Sequence, residues 1–370
     1  MAPPHRPPSS PSAEAVVASP GSRTPFTSPR PRRSRMLAGV TAAVLATGGI
    51  ALAGTANAGE TGTGTSASSQ QPAVGASAVP KHAVTGYWQN FDNGAKVQKL
   101  AEVPDDYDIV AVAFADATGK PGQVDFKLDP ALGYASEADF KADIDALHKK
   151  GKSVIISVGG EKGAVSVGSG AAADAFAKSI TGLMDKYGFD GVDIDLENGL
   201  NATYMTQALK SIHAAKPNVV VTMAPQTIDM QSPQNEYFKT ALNIKSFLTV
   251  VNMQYYNSGS MNGCDGNVVS QGSVDFLTSL ACIQLKNGLD PSQVGIGTPA
   301  SPRAAGGGYV DPAVVNNALD CLAKGTNCGT FKPDKTYPGI RGAMTWSTNW
   351  DATAGNKWSS TVGPHVDKLP

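Results

Sequence analysis

The chain has 370 residues, 41% of them hydrophobic and 16% charged, which is enough apolar material to bury a large globular core. Lysine and arginine total 30 against 31 aspartate and glutamate, giving a formal net charge of -1. This balance argues against a polyanion-binding surface, so nucleic acid and anionic membranes are not expected partners.

The first 58 residues have the pattern of a secretory signal peptide. An uninterrupted run of small and apolar residues at 36–53 is followed by Ala56-Asn57-Ala58, a small-x-small cleavage pattern. Four arginines precede the run: Arg30, Arg32, Arg33 and Arg35. We expect cleavage after Ala58 and a secreted, extracellular protein with no membrane attachment afterwards. A transmembrane anchor is the alternative, but the run only reaches the lower limit of a span of about 17–25 residues.

Residues 59–81 are predicted to be a flexible linker. They consist mostly of Gly, Ser, Thr, Ala, Gln and Pro, with almost no aliphatic bulk. Such a segment cannot bury enough apolar surface to offset the entropy of ordering. We therefore expect one folded domain at 82–370.

Short β-branched or apolar runs alternate with amphipathic stretches throughout that domain. Strands are predicted at 83–88, 109–115, 153–158, 191–196, 219–223, 248–254, 294–298 and 342–346. Helices are predicted at 136–150, 171–187, 204–216, 272–287 and 311–323. This alternation predicts an α/β protein with a (β/α)8 TIM barrel. An open doubly wound sheet is the alternative, although no Gly-rich phosphate fingerprint follows the first strand.

The fourth predicted strand contains three acidic residues at alternate positions. Because side chains alternate faces along a strand, Asp193, Asp195 and Glu197 share one face, while the opposite face is wholly aliphatic. The aliphatic face can pack against helices, so the acids must point into the barrel, about 6.6 Å apart along the strand. A calcium loop fits poorly, because its glycine and its twelfth-position glutamate are missing, and an exposed acidic edge strand is the other alternative.

Three carboxylates facing one interior cannot all be charged, because burial and like charges both disfavour ionisation. At least one must hold a proton near neutral pH, as a general acid requires. Glu197 is nearest the C-terminal mouth, where barrel enzymes keep their sites, and is the candidate acid. Asp195 is expected to share a proton or a hydrogen bond with it, and Asp193 to modulate Asp195 from below.

All four cysteines lie in the second half of the chain, and an even number in an exported protein favours disulfides. Because each closes a local loop, we expect the pairs Cys264–Cys282 and Cys321–Cys328, although four cysteines allow three pairings. There is no CxxC, and the five histidines show no ligand spacing, so no metal or other cofactor is expected. His148 and His213 lie in helical patterns and are expected on solvated faces.

The acidic stretch resembles the DxxDxDxE signature of family 18 glycoside hydrolases, the chitinase family, with Asp190 as its first member. Four further segments resemble that family in the same order: the SxGG segment at 157–160, a strand-five segment at 223–225, the Q-x-Y pattern at 254–256 and a strand-eight segment ending at Trp346. The resemblance covers nearly all of 82–351 and suggests a bacterial secreted chitinase.

The resemblance implies retention of configuration by substrate-assisted catalysis, an exception to the usual two-carboxylate scheme. Glu197 would protonate the glycosidic oxygen, and the substrate's own acetamido carbonyl would attack the anomeric carbon. Asp195 would hold the acetamido N–H, and the hydroxyl of Tyr256 would bond the acetamido oxygen. Trp346 would lie under the sugar. The substrate-binding set would be completed by Gln254, Met223 and Tyr87.

About 43 residues separate Thr298 from Gly342, too few for the α+β insertion that some chitinases carry between strands seven and eight. We therefore expect an open groove, endo-type cleavage of chitin or chito-oligosaccharides, and a monomer. An endo-β-N-acetylglucosaminidase acting on glycoprotein glycans is an alternative. A catalytically inactive chitin-binding lectin is another, since fold alone does not fix function.

Overall fold

The computed structural model describes residues 79–370; the predicted signal peptide and residues 59–78 of the predicted linker lie outside the described residues. The strands are β1 (Ala83–Gln89), β2 (Ile109–Ala117), β3 (Val124–Asp125), β4 (Ser153–Gly159), β5 (Gly191–Asp195), β6 (Val220–Met223), β7 (Val250–Gln254), β8 (Ser260–Asn262), β9 (Val268–Ser270), β10 (Val294–Pro299) and β11 (Gly342–Trp346).

Eight of these strands close into a parallel barrel. Their order is β1-β11-β10-β7-β6-β5-β4-β2, and β1 pairs in parallel with both β2 and β11, which closes the sheet. The two-residue β3 adds to β2 in antiparallel fashion, and β8 and β9 form a separate hairpin. The predicted TIM barrel is confirmed, and the open-sheet alternative is wrong.

Helices cover the outside of the barrel. They are α1 (Glu137–Lys149), α2 (Gly170–Tyr187), α3 (Ala202–Ala215), α4 (Glu236–Asn243), α5 (Val274–Lys286), α6 (Pro312–Lys324), α7 (Thr348–Thr353) and α8 (Lys357–Val366). The helix starts follow local chemistry, because Ser136, Ser169 and Ser273 each accept a backbone N–H of the first turn. Between β10 and β11 the described chain contains α6 and no strand, so the expected absence of an α+β insertion is confirmed.

The apolar core has two layers. The larger lies between the sheet and the helices and includes Val192, Ile194 and Leu196 from the acidic segment. The smaller fills the barrel interior with side chains such as Ile109, Ala111 and Met344. The aliphatic face of β5 therefore packs outward, as the alternation predicted, and its other face is left for the acids.

The ends of the described chain meet below the barrel. The Lys81 ammonium bonds the Pro370 carbonyl (2.6 Å), His82 Nδ1 bonds the Ile340 carbonyl (2.7 Å), and Arg341 donates to the Pro80 carbonyl (2.5 Å). Pro80 and Lys81, which the sequence assigned to the linker, are thus attached to the folded domain.

Both expected disulfides are present. Cys264–Cys282 joins the β8–β9 hairpin to α5, and Cys321–Cys328 joins the last turn of α6 to the loop after it. Within residues 79–370, no helix combines the length and apolarity needed to cross a bilayer.

The expectation for the two helical histidines is wrong. His148 lies 2.8 Å from the Asp190 carboxylate, with only 13% of its side chain exposed. His213 stacks on Phe247 with ring centroids 4.3 Å apart, and its Nδ1 is buried. A hydrogen bond to a carboxylate holds His148 and ring stacking holds His213, contacts that helical periodicity alone does not reveal.

Candidate active site

The three acidic side chains form a column from the barrel interior to its C-terminal mouth. Asp193 and Asp195 lie on β5, and Glu197 follows two residues beyond the end of that strand. Asp193 is fully buried, Asp195 is 5% exposed and Glu197 is half-buried. This places the candidate acid nearest solvent.

Asp193 accepts hydrogen bonds from three hydroxyl groups. Tyr87 (2.7 Å) and Ser157 (2.6 Å) donate to Oδ2, and Thr222 (2.6 Å) donates to Oδ1. Burial raises the pKa of Asp193, and the three donors oppose that shift. Donors arriving from β1, β4 and β6 hold this carboxylate in one orientation beneath the other two acids.

Asp195 and Glu197 are connected through Gln254 rather than directly. Gln254 Nε2 donates to Asp195 Oδ1 at 2.8 Å and to Glu197 Oε1 at 3.4 Å. No hydrogen bond joins the two carboxyls in the part of the chain that the structure describes, so the expected direct bond is replaced by this bridge. The same nitrogen also donates to the Ala224 carbonyl at 2.9 Å.

The electrostatic surroundings favour protons on the upper acids. Burial, followed by the charges on Asp193 and Glu197, raises the pKa of Asp195 well above its usual range. Burial is also the largest cause that raises the pKa of Glu197. The amides of Gln254 and Gln226, the latter 3.4 Å from Glu197 Oε2, partly oppose this rise.

Tyr256 lies beside these acids with its hydroxyl available. Burial, then the charges on Asp195 and Glu197, raises its pKa well above 10.0, so the phenol keeps its proton. The hydroxyl has no hydrogen-bond partner among residues 79–370. Tyr255 faces the opposite way, where its hydroxyl accepts from Gln284 at 3.2 Å, so Tyr256 is the one of the two tyrosines that lies beside the acids.

Gly159, the last residue of β4, and Gly160, which follows it, let the chain pass close to the acidic segment. A Cβ at Gly159 (φ 124°) would lie 2.1 Å from the Asp195 carbonyl oxygen, and one at Gly160 (φ 75°) would lie 2.7 Å from the Phe114 ring. Gly160 N–H donates to the same Asp195 carbonyl at 2.7 Å. Glycine is therefore required here by close approach.

An aromatic cluster lies at the mouth. The half-buried Trp346 ring has its centroid 5.8 Å from Phe114, 6.4 Å from Phe91 and 5.7 Å from Tyr87. Phe91 and Phe114 were not singled out from the sequence. Each lies near the C-terminal end of its strand, as Trp346 does, and that position is the signal that could have found them.

Three predicted substrate-binding residues have other contacts. Met223 is fully buried in the layer between sheet and helices, because β6 turns Thr222 and Ala224 inward, so assigning Met223 to the substrate was wrong. Tyr87 is 2% exposed and donates to Asp193 from below. The Gln254 amide nitrogen is occupied by the acids and a carbonyl.

Within residues 79–370 no group of three or more His, Cys, Asp or Glu side chains has an arrangement that could hold a metal ion. The carboxylates accept from hydroxyl and amide donors instead.

Comparison with known proteins agrees with this geometry. A column of buried carboxyls at the mouth of a closed (β/α)8 barrel, with an aromatic side chain beside it, defines a glycosidase-type site. The profile of the family Glycosyl hydrolases family 18 matches residues 83–362. The chain therefore belongs to glycosyl hydrolase family 18.

Individual relatives are similar over most of the folded part. Chitinase Chi52 of Paenibacillus xylanexedens is 35% identical over 77% of this chain and 61% of its own length. Exochitinase 1 of Streptomyces olivaceoviridis is 34% identical over 78% of this chain and 56% of its own length. The chain thus spans less than two thirds of these curated relatives. A crystal structure described as chitinase A from Streptomyces coelicolor is 70% identical, with a TM-score of 0.77, over 78% of this chain and 99% of that one.

Proposed function

We propose that the chain is an endo-acting chitinase that hydrolyses β-1,4 N-acetylglucosamine linkages with retention, by substrate-assisted catalysis. The observation that carries the proposal is the group formed by Asp195, Glu197 and Gln254 beside the unpartnered Tyr256 hydroxyl. Within one small site, Glu197 can act as the acid, Asp195 can accept a hydrogen bond and the Tyr256 hydroxyl can donate one. Family membership and the names of the relatives support the choice of chitin.

Glu197 acts first as general acid. Its raised pKa keeps a proton on the carboxyl, and that proton passes to the glycosidic oxygen as the C1–O bond breaks. The acetamido carbonyl oxygen of the same sugar attacks C1 from the opposite face and gives an oxazolinium ion. Glu197, now a carboxylate, then removes a proton from water, which attacks C1 and restores the original configuration.

Asp195 and Tyr256 hold the acetamido group during this sequence. Asp195 accepts its N–H and stabilises the positive charge that develops on the ring, and the Tyr256 hydroxyl donates to its oxygen. Asp193, held by three hydroxyls, contributes negative charge below Asp195. Trp346 provides the apolar floor under the reacting sugar.

We further propose that 1–58 directs secretion and is removed, and that the linker predicted at 59–81, whose last residues contact the barrel, precedes a catalytic domain at 82–370, which acts outside the cell as a monomer. The two disulfides support an oxidising location. The match to the Streptomyces coelicolor structure covers 99% of that chain, which supports a catalytic domain of this size.

An assay with purified protein on two substrates tests the proposal. A soluble N-acetylglucosamine hexamer is expected to be cleaved, with the β-anomer of the new reducing end appearing first in proton NMR spectra. Cleavage of a high-mannose glycoprotein alone would favour the endo-β-N-acetylglucosaminidase. Tight binding of the hexamer without cleavage would favour the lectin.

A further inference from the structure

A second pocket adjoins the aromatic cluster. It has a volume of about 410 Å³ and is lined by Phe91, Phe114, Asn90, Asp116, Lys127 and Asp129, among others. Phe91 and Phe114 stack with an interplanar angle of 17°, and both rings also approach Trp346. A polymer that lies over Trp346 can therefore continue into this pocket without leaving aromatic surface.

Most polar groups of the pocket are already used within the protein. The Asn90 side chain donates to the Lys127 carbonyl (2.8 Å) and accepts from the Asp129 N–H (3.0 Å). The Asp129 carboxylate accepts from the Ala131 N–H at 2.8 Å, which caps a short helix. These groups shape the wall and have little remaining capacity for a ligand.

Asp116 differs from them. Its carboxylate has no hydrogen bond or ion pair within residues 79–370, and the Lys127 ammonium, on the same wall, is not paired with it. In the antiparallel pairing of β2 and β3, Asp116 lies directly opposite Asp125, and like charges at opposite positions destabilise a sheet. Burial, then the Asp125 charge, raises the pKa of Asp116. Asp116 and Asp125 are both exposed, so water solvates the two charges at this edge, and a cation that enters the pocket can pair with Asp116.

We propose that this pocket is a subsite that selects a glucosamine residue, with its free ammonium paired to Asp116, in partially deacetylated chitin. The inference rests on the proposed function. A sugar ring stacks on Phe114 and Phe91, and its C2 ammonium reaches the one unpartnered carboxylate of the wall. The sugar over Trp346 must keep its acetamido group to react, so the selected amine belongs to a residue at a fixed distance from the cleaved bond.

The test is product sequencing after digestion of a partially acetylated chitosan in ¹⁸O-water, which labels every new reducing end. Wild-type protein is expected to enrich glucosamine at one position counted from the cleaved bond. Asp116→Asn should reduce that enrichment about two- to fivefold, the range for a partly exposed ion pair, and Asp116→Glu should largely keep it. Added salt should weaken the wild-type enrichment.

Asp185→Asn is the matched control, since it removes one carboxylate from the exposed pair with Lys216 on the outer surface. It should leave the enrichment unchanged. Equal enrichment in wild type and Asp116→Asn, or none in wild type, would overturn the inference while hydrolysis of the acetylated hexamer stands. Failure of wild type on the acetylated hexamer would instead overturn the proposed function.

Discussion

Gln254 Nε2 has two hydrogens and three acceptors: a carboxylate oxygen of each upper acid and the Ala224 carbonyl. The two shorter bonds, to Asp195 and Ala224, use both hydrogens well, so Glu197 receives only a weak share. The ionisation of Glu197 is thereby linked to that of Asp195. A rotation of the Asp195 carboxyl would free one N–H of Gln254 to form a stronger hydrogen bond with Glu197.

Replacing Gln254 by Leu should change the pH dependence of hydrolysis. The amide lowers the pKa of both carboxyls, so its removal raises both. Since Glu197 must be protonated to act as the acid, the loss of activity on the alkaline side of the pH profile should shift to higher pH in Gln254→Leu. We also expect kcat to drop about 10- to 100-fold through loss of orientation. The measurement is kcat and kcat/KM against pH, with thermal unfolding as the check on folding.

A change in KM alone, with an unchanged pH profile, would contradict this role and would indicate that Gln254 only binds substrate.

We expect Asp195 to lower the stability of the protein at neutral pH. Its pKa is raised on folding, so the folded state binds more protons than the unfolded state between the two pKa values, and stability falls as pH rises through that window. Asp195→Asn removes this penalty and keeps an acceptor for Gln254. We expect about 1 kcal/mol of added stability at pH 7, less at about pH 4, and loss of activity. Urea unfolding of wild type and Asp195→Asn at both pH values measures this difference in unfolding free energy. A variant that is less stable than wild type at pH 7 would contradict the expectation.

At this scale the sequence predicted some residues and missed others. The alternation of β5 placed Asp193, Asp195 and Glu197 on one face correctly, because the opposite face is purely aliphatic. It failed on β6, where Met223 was chosen and Thr222 is the inward residue. Both faces of that short strand are buried, so hydropathy does not identify the inner one.

At the scale of elements, the first aspartate of the acidic motif connects α1, β4 and β5. Asp190 precedes β5, accepts the Val154 N–H at 2.7 Å and contacts His148 in the last turn of α1 at 2.8 Å. It therefore fixes the start of the strand whose other end carries the acid. The motif thus includes one structural carboxylate on the helical side of the sheet.

This contact should make stability depend on pH through His148. The hydrogen bond that His148 donates to the Asp190 carboxylate raises the pKa of His148, so its stabilising contribution is complete below the unfolded value of about 6.5 and is lost as pH rises through the folded value. His148→Gln keeps a donor that does not titrate. The difference in unfolding free energy between wild type and variant should therefore shrink or reverse between about pH 6 and about pH 9. A difference that is constant with pH would contradict this account.

Long periodic elements were predicted to within two residues at each end, and short ones were missed. The six-residue α7 is too short to show a full amphipathic repeat, and α8 contains Pro364. The eight-residue α4 buries Tyr237, Phe238 and Ala241 on one face, a repeat that was present in the sequence and was overlooked. The β8–β9 hairpin is largely exposed and has no alternating pattern. Their positions depend on tertiary contacts such as the Cys264–Cys282 bond.

At the scale of the whole molecule, the described cleft has aromatic side chains near β1, β2 and β11 and polar ones near β6. Within residues 79–370, no strand-containing insertion lies between β10 and β11 to form a wall above the cleft. An open cleft admits the middle of a polymer, which supports the proposed endo action even though one relative is named an exochitinase.

Viscosity during digestion distinguishes endo from exo cleavage directly. During digestion of a soluble chitin derivative, viscosity should fall well before many reducing ends have appeared, because internal cuts shorten chains fastest. Disaccharide as the dominant product from the first minutes, with viscosity nearly constant, would contradict endo action.

The most direct test of the central claim is the hydrolysis rate of the N-acetylglucosamine hexamer by wild type and by Glu197→Gln, with hexamer binding measured in both. The amide keeps the shape of the side chain but cannot donate the proton, so the rate should fall at least about 10²-fold while binding stays within a few-fold. A variant that retains most of the wild-type rate would contradict the assignment of Glu197 as the acid and, with it, the proposed mechanism.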